Sequence, residues 1–232
     1  HIVTLNPVAV ELVDDTMISL AHKIDMFKPT VEAVVNGNPK SLLLVEFAEE
    51  QMDENHQRLK KLHQLMGDLG YSWDKTKKIG GVIDVIDDKL QSKVSEMRKS
   101  GLNIMMSMKD DAKPVSFIED CAVQLKDLAE YTDGLNKIFD KYNVKGTWYA
   151  HASVGCLHVR PVLNMKIQDD IKKMRNIANE TSALVKKFNG SYSGEHGDGI
   201  ARSEFNEVMF GKKMIRIFKF VKNSFDPLNI FN

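Results

Sequence analysis

Cysteine is scarce in this 232-residue chain. Cys121 and Cys156 are too few for a disulfide framework or a cysteine-only metal site, so a reducing compartment is the expected setting. Charge of one sign is lacking as well. The 32 Lys+Arg balance 32 Asp+Glu, leaving no net field to attract nucleic acid or an anionic membrane. No apolar run approaches the roughly 20 residues of a membrane-crossing helix. Repeats and low-complexity tracts are also missing, and the first residues do not read as a signal peptide. The chain starts His-Ile-Val without Met and stops within FDPLNIFN, which reads as an ordered segment, so a fragment is expected. The rest is ordinary for a folded protein: 43% hydrophobic and 28% charged residues, long enough for one large domain or two small ones.

Proline and glycine divide the sequence into alternating helices and strands. Pro7 suits the first turn of a helix reaching about Phe27, with Val10, Leu12, Val13, Met17 and Leu20 on its apolar face. Residues 41–48 (SLLLVEFA) predict a buried strand, and 49–69 a helix ended by Gly70. Helices are expected over 83–100, 123–142 and 168–188, the last stopped by Asn189-Gly190. Residues 114–121 read as a strand, 145–163 as two strands about Gly155, and two short helices near 202–210 and 211–223 end the chain. The twelve methionines are expected as core filler. Few strands, long helices and a tight turn at Gly155 point to an α+β fold.

Two glycine-rich segments concentrate the chemistry: HASVGCLHVRP (151–161) and SGEHGDGIARSEF (193–205). A two-residue turn at Val154-Gly155 would set His151 opposite His158, with β-carbons about 5 Å apart. Two imidazoles at that spacing can chelate one divalent ion. Alternation places Arg160 on the His158 face, where a cation suits an anionic substrate. Glu195 can complete a His₂-carboxylate set for zinc, manganese or iron. His196 suits a general base at neutral pH, and Asp198 can orient it or cap a helix starting near Ala201. The same residues also fit a surface hairpin and a solvated Asp-Gly turn.

These segments, with AVELVDD (9–15), LLLVEF (42–47), KPVSFIEDCAV (113–123) and FDPLNIFN (225–232) in the same order, resemble the C-terminal cap domain of FAD-linked oxidases of the vanillyl-alcohol oxidase superfamily. That group includes bacterial D-lactate dehydrogenases, the glycolate oxidase flavin subunit and D-2-hydroxyglutarate dehydrogenase. HASVGCLHVRP is most similar to the subgroup fused to a C-terminal iron–sulfur domain. Gly155-Cys156 stands where other branches usually have Gly-Asn.

The resemblance implies a ferredoxin-like α+β cap domain over residues 1–232, an antiparallel sheet covered by helices. The FAD-binding domain of the same polypeptide would precede residue 1. It implies a divalent metal (zinc or manganese) on His151, His158 and Glu195, with His196 taking the hydroxyl proton of a small 2-hydroxy acid such as D-lactate while hydride goes to flavin. Arg98, Lys113 and Arg160 would face the substrate's anionic groups, and Asn232 would lie beside the flavin. The expected setting is cytoplasmic, or peripheral on the inner membrane in a full-length protein with an iron–sulfur cluster. Alone, the fragment is expected to bind FAD weakly or not at all and to be inactive. The alternative is a catalytically inactive metal- or partner-binding module of the same fold.

Overall fold

Asp14 sets the first change of element. Its Oδ1 accepts the Met17 N–H at 2.8 Å, capping helix α1 (Asp15–His22). Strand β1 (Ala9–Asp14) therefore occupies residues that the periodicity assigned to a helix from Pro7 to Phe27. Short apolar runs satisfy both periods, and β1 gains strand partners on both sides that its sequence does not announce. These features come from a computed structural model that describes residues 1–73 and 80–231. The chain divides into two compact units, one of His1–Pro114 with Thr147–Ser153, the other of Val115–Gly146 with Val154–Asn232.

In the first unit, α1 is followed by α2 (Lys28–Val34) and strand β2 (Ser41–Glu46). Next come α3 (Met52–Asp68), α4 (Asp88–Lys99), α5 (Gly101–Met106) and, after the excursion into the second unit, strand β3 (Gly146–His151). Strand β1 is central. It pairs antiparallel with β2 from Ala9↔Glu46 to Asp14↔Ser41, and with β3 through Glu11↔His151, Leu12↔Ala150 and Val13↔Tyr149. The second Asp14 oxygen accepts the Trp148 N–H at 2.8 Å, tying β3 to the α1 cap. Met17, Ala21, Phe27, Val31 and Ile104 form the core of this unit.

Three expectations change here. Residues 41–46 are a strand as read, but not a buried one, because Leu43 on β2 is 44% exposed. Helix α4 starts only at Asp88, where Asp87 accepts the Leu90 N–H at 2.8 Å, so residues 83–87 are not helical. Of the twelve methionines, Met17, Met105 and Met209 are core residues, whereas Met26, Met52 and Met106 are exposed.

The second unit contains α6 (Leu128–Tyr142), strand β4 (Cys156–Leu163), α7 (Gln168–Lys187), α8 (Gly199–Arg202) and α9 (Asn206–Phe225), which breaks at Gly211. Tyr131, Leu135 and Phe139 of α6 and Ile177 and Val185 of α7 are buried. Residues 121–122 pair antiparallel with β4. Residues 115–120 bend instead of forming the expected strand, and Asp120 takes a left-handed φ of 57°. Helices with antiparallel strands make the chain α+β, as expected. No helix among the described residues is long and apolar enough to cross a membrane.

Candidate functional site

The EHGDG loop is held from below by a residue outside it. Asp120 is fully buried. Its Oδ2 accepts the backbone N–H groups of Glu195 and His196 and the Ser193 hydroxyl, each at 2.8 Å. Its Oδ1 accepts from the Arg202 guanidinium, which also donates to the carbonyls of Glu119, Tyr192 and Gly197. Burial alone would raise the Asp120 pKa, but the His196 N–H, Arg202, the Glu195 N–H and Ser193 outweigh it and hold the pKa below its ordinary value. Gly197 turns the loop with φ 77°, a conformation that suits glycine.

Above this floor four titratable side chains converge. His158 Nδ1 lies 3.4 Å from Glu119 Oε1 and its Nε2 lies 3.7 Å from Glu195 Oε2. His196 Nε2 is 3.8 Å from the same Glu195 oxygen, and the two imidazoles stack with centroids 5.4 Å apart. Arg160 forks onto Glu119, its Nε 3.0 Å from Oε2 and also donating to Ser116 Oγ. Burial would push the Glu119 pKa up, yet hydrogen bonds from His158, Arg160 and Ser116 hold it far below the carboxylate range. His158 is 5% exposed and Arg160 8%, whereas the His196 side chain is half exposed.

His151 lies in the first unit, at the end of β3. Its Nδ1 is 2.7 Å from Glu11 Oε2, and the register makes the two direct cross-strand partners. Tyr149, two residues earlier on the same face, donates its hydroxyl to Glu11 Oε2 at 3.0 Å and accepts from Arg98 Nε at 2.9 Å. Arg98 also meets Glu11 Oε1 at 2.7 Å. Lys113 donates to the Met108 carbonyl.

His158, Glu195 and His196 are thus brought together, with Glu119 added. Arg160 lies beside them, buried against Glu119 because β4 is covered on both faces. The turn after His151 is longer than predicted: a 3-10 turn occupies Ala152–Val154 and Gly155 follows at φ 73°. The two-residue turn expected at Val154-Gly155 is therefore not formed. Asp198 makes no side-chain cap to α8. Asn232 lies outside the described residues. Sequence reading missed Glu11, Glu119, Asp120, Tyr149 and Arg202. Their only signal was position inside the AVELVDD, KPVSFIEDCAV, YAHASVG and GIARSEF blocks.

The donors suit a borderline divalent ion. Glu119, His158 and His196 each offer a ligand atom within 4.8 Å of the others. Bonds near 2.1 Å allow two ligands of one ion to stand at most about 4.2 Å apart, so small side-chain shifts would close the set. Glu119 is committed to Arg160, which makes Glu195 the better carboxylate. The two cysteines are buried and free; burial pushes the Cys121 thiol up to about 12, a poor state for ligation.

The sequence profile for the C-terminal domain of FAD linked oxidases matches residues 2–232. D-2-hydroxyglutarate dehydrogenase of Haemophilus influenzae is 29% identical over 99% of this chain and 22% of its own length. The enzyme of that name from Pantoea ananatis is 30% identical over 97% of the chain and 22% of its own length. Glycolate oxidase subunit GlcD of Bacillus subtilis is 27% identical over 60% of the chain and 29% of its own length. The chain spans about a fifth of the length of the D-2-hydroxyglutarate dehydrogenases it matches.

Proposed function

The chain belongs to the family of C-terminal domains of FAD-linked oxidases, and on that premise we propose that it is the substrate-binding part of an FAD-dependent 2-hydroxyacid dehydrogenase. The observation that carries this reading is the convergence of His158, His196 and Glu195 around one point. Relatives named for D-2-hydroxyglutarate and glycolate support a short 2-hydroxy acid as the substrate class.

Oxidation of such an acid to the 2-oxo acid removes a proton from the hydroxyl and a hydride from C2. His158 and Glu195, with His151 as the third ligand, are the residues we assign to a zinc or manganese ion. A bound ion would supply Lewis-acid polarisation of the substrate's hydroxyl and carboxylate. His196 is the general base. Its ring is exposed enough to meet substrate, and Asp120 fixes its backbone. Arg98, whose side chain is 30% exposed, and Lys113 hold substrate carboxylates. Arg160, buried against Glu119, holds that carboxylate in place instead. Any iron–sulfur cluster of a full-length protein would sit outside this chain, whose two thiols are too few for one.

Steady-state oxidation of D-2-hydroxyglutarate, D-lactate and glycolate by the full-length protein tests the reading. His196→Asn is expected to lower kcat about 10²–10⁴-fold, the usual worth of a general base. His158→Ala is expected to lower metal affinity by about 10-fold or more. A wild-type protein with flavin bound and no turnover on any 2-hydroxy acid would favour the inactive metal- or partner-binding module.

A further inference from the structure

Each of the two histidines assigned to the metal is backed by a glutamate, and each glutamate is gripped by an arginine. In the first unit the series is Arg98–Glu11–His151: 2.7 Å from Arg98 to Glu11 Oε1 and 2.7 Å from His151 Nδ1 to Glu11 Oε2. In the second it is Arg160–Glu119–His158, with the Arg160 fork on Glu119 and His158 Nδ1 3.4 Å from Oε1. Both glutamates are buried, at 5% and 7% exposure. In both series the ring faces its carboxylate through Nδ1.

A carboxylate can only accept a hydrogen bond, so for the neutral ring each contact selects the tautomer with the proton on Nδ1 and the lone pair on Nε2. Buried ion pairs are poor investments in stability, since apolar residues of similar volume often do as well. Two of them of the same construction, one in each unit, therefore point to orientation, not to folding. We propose that Glu11 and Glu119 are positioning residues that lock His151 and His158 as Nδ1–H tautomers with Nε2 turned to the metal. The proposal rests on the metal reading above. Arg98 and Tyr149 keep the Glu11 carboxylate from rotating away, Tyr149 by accepting from Arg98 and donating to Glu11. Ser116 and Arg160 do the same for Glu119. Glu11 gains a second consequence: it fixes Arg98, the candidate substrate cation, with the same carboxylate that fixes His151.

The test uses Glu11→Leu, with Glu11→Gln as the variant that keeps a polar side chain should Leu disturb folding. Two readouts are taken: Zn²⁺ and Mn²⁺ affinity by calorimetry, and the ¹⁵N shifts of histidine-labelled, metal-free protein, which report the His151 tautomer. The expected result is a fall in metal affinity of about 10–100-fold, the usual cost of removing a carboxylate behind a ligating imidazole. The His151 Nδ1–H signature should be lost with it, while that of His158 stays. Glu119→Gln should do the reverse, moving His158 and sparing His151. Unchanged affinity together with an unchanged His151 tautomer would overturn the proposal. If wild-type protein binds neither ion, the metal reading fails; loss of the Nδ1–H signature in Glu11→Leu would still uphold the positioning role, and its persistence would overturn that too.

Discussion

Asp120→Asn is the sharpest perturbation of the candidate site that touches none of its reacting groups. The wild-type carboxylate accepts three hydrogen bonds of 2.8 Å on Oδ2 and the Arg202 guanidinium on Oδ1. An amide can serve one side only. With its oxygen toward Glu195 and His196, its NH₂ faces the guanidinium; flipped, it faces two backbone N–H groups. Removing one partner of a buried ion pair costs about 3–5 kcal/mol. Arg202 keeps the carbonyls of Glu119, Tyr192 and Gly197, so about 3 kcal/mol, the low end of that range, is expected. For a chain of this size that corresponds to a fall in Tm of roughly 6–12 °C. Hydrogen exchange at the Glu195 and His196 amides should accelerate roughly 100-fold, since each 1.4 kcal/mol is tenfold. Adding Arg202→Met should recover part of the loss, because the stranded cation goes with it. A loss below about 0.5 kcal/mol, the range of an ordinary surface substitution, with both amides as protected as before, would refute the role given to Asp120.

Gly155→Ala places a Cβ 2.1 Å from the Val123 carbonyl oxygen at a φ of +73°. About 2–4 kcal/mol of destabilisation is expected from strain and overpacking together, and an unaltered thermal midpoint would contradict this geometry. Asp226 holds the chain end: its carboxylate accepts the Ile230 and Phe231 N–H groups at 2.7 and 2.9 Å beside Lys222. The Lys222 hydrogen bond, above all, lowers its pKa. A lowered pKa means the turn is stabilised above the unfolded value of about 3.9 and released as pH falls below it. NMR shifts of the Ile230 and Phe231 amides should therefore titrate with a midpoint below about 3.9, and a midpoint above that would be the wrong sign.

How legible this was in the sequence depended on whether the signal was local. Helices α3, α6 and α7 carry their own periodicity and end at the left-handed residues Gly70, Asn143 and Asn189, so their existence and ends were readable, although α6 starts at Leu128 after a 3-10 turn and not at 123. Strand β1 was not, because what makes AVELVD a strand is pairing with residues 41–46 and 149–151. The same limit applies to the site. His158, Glu195 and His196 stand out as chemistry-bearing residues among glycines, and the fold brings them together. Glu11, Glu119 and Asp120 look like solvated carboxylates in a linear reading. Only the three-dimensional arrangement shows each one buried against an arginine from a distant segment.

The most direct test of the central claim is anaerobic reduction of the bound flavin of the full-length protein by D-2-hydroxy acids, before and after removal of divalent metal by a chelator. We predict that D-2-hydroxyglutarate or D-lactate bleaches the flavin, that chelation slows bleaching by about 10-fold or more, and that added Zn²⁺ or Mn²⁺ restores it. Flavin that no 2-hydroxy acid reduces, or that is reduced equally fast without metal, would contradict the account.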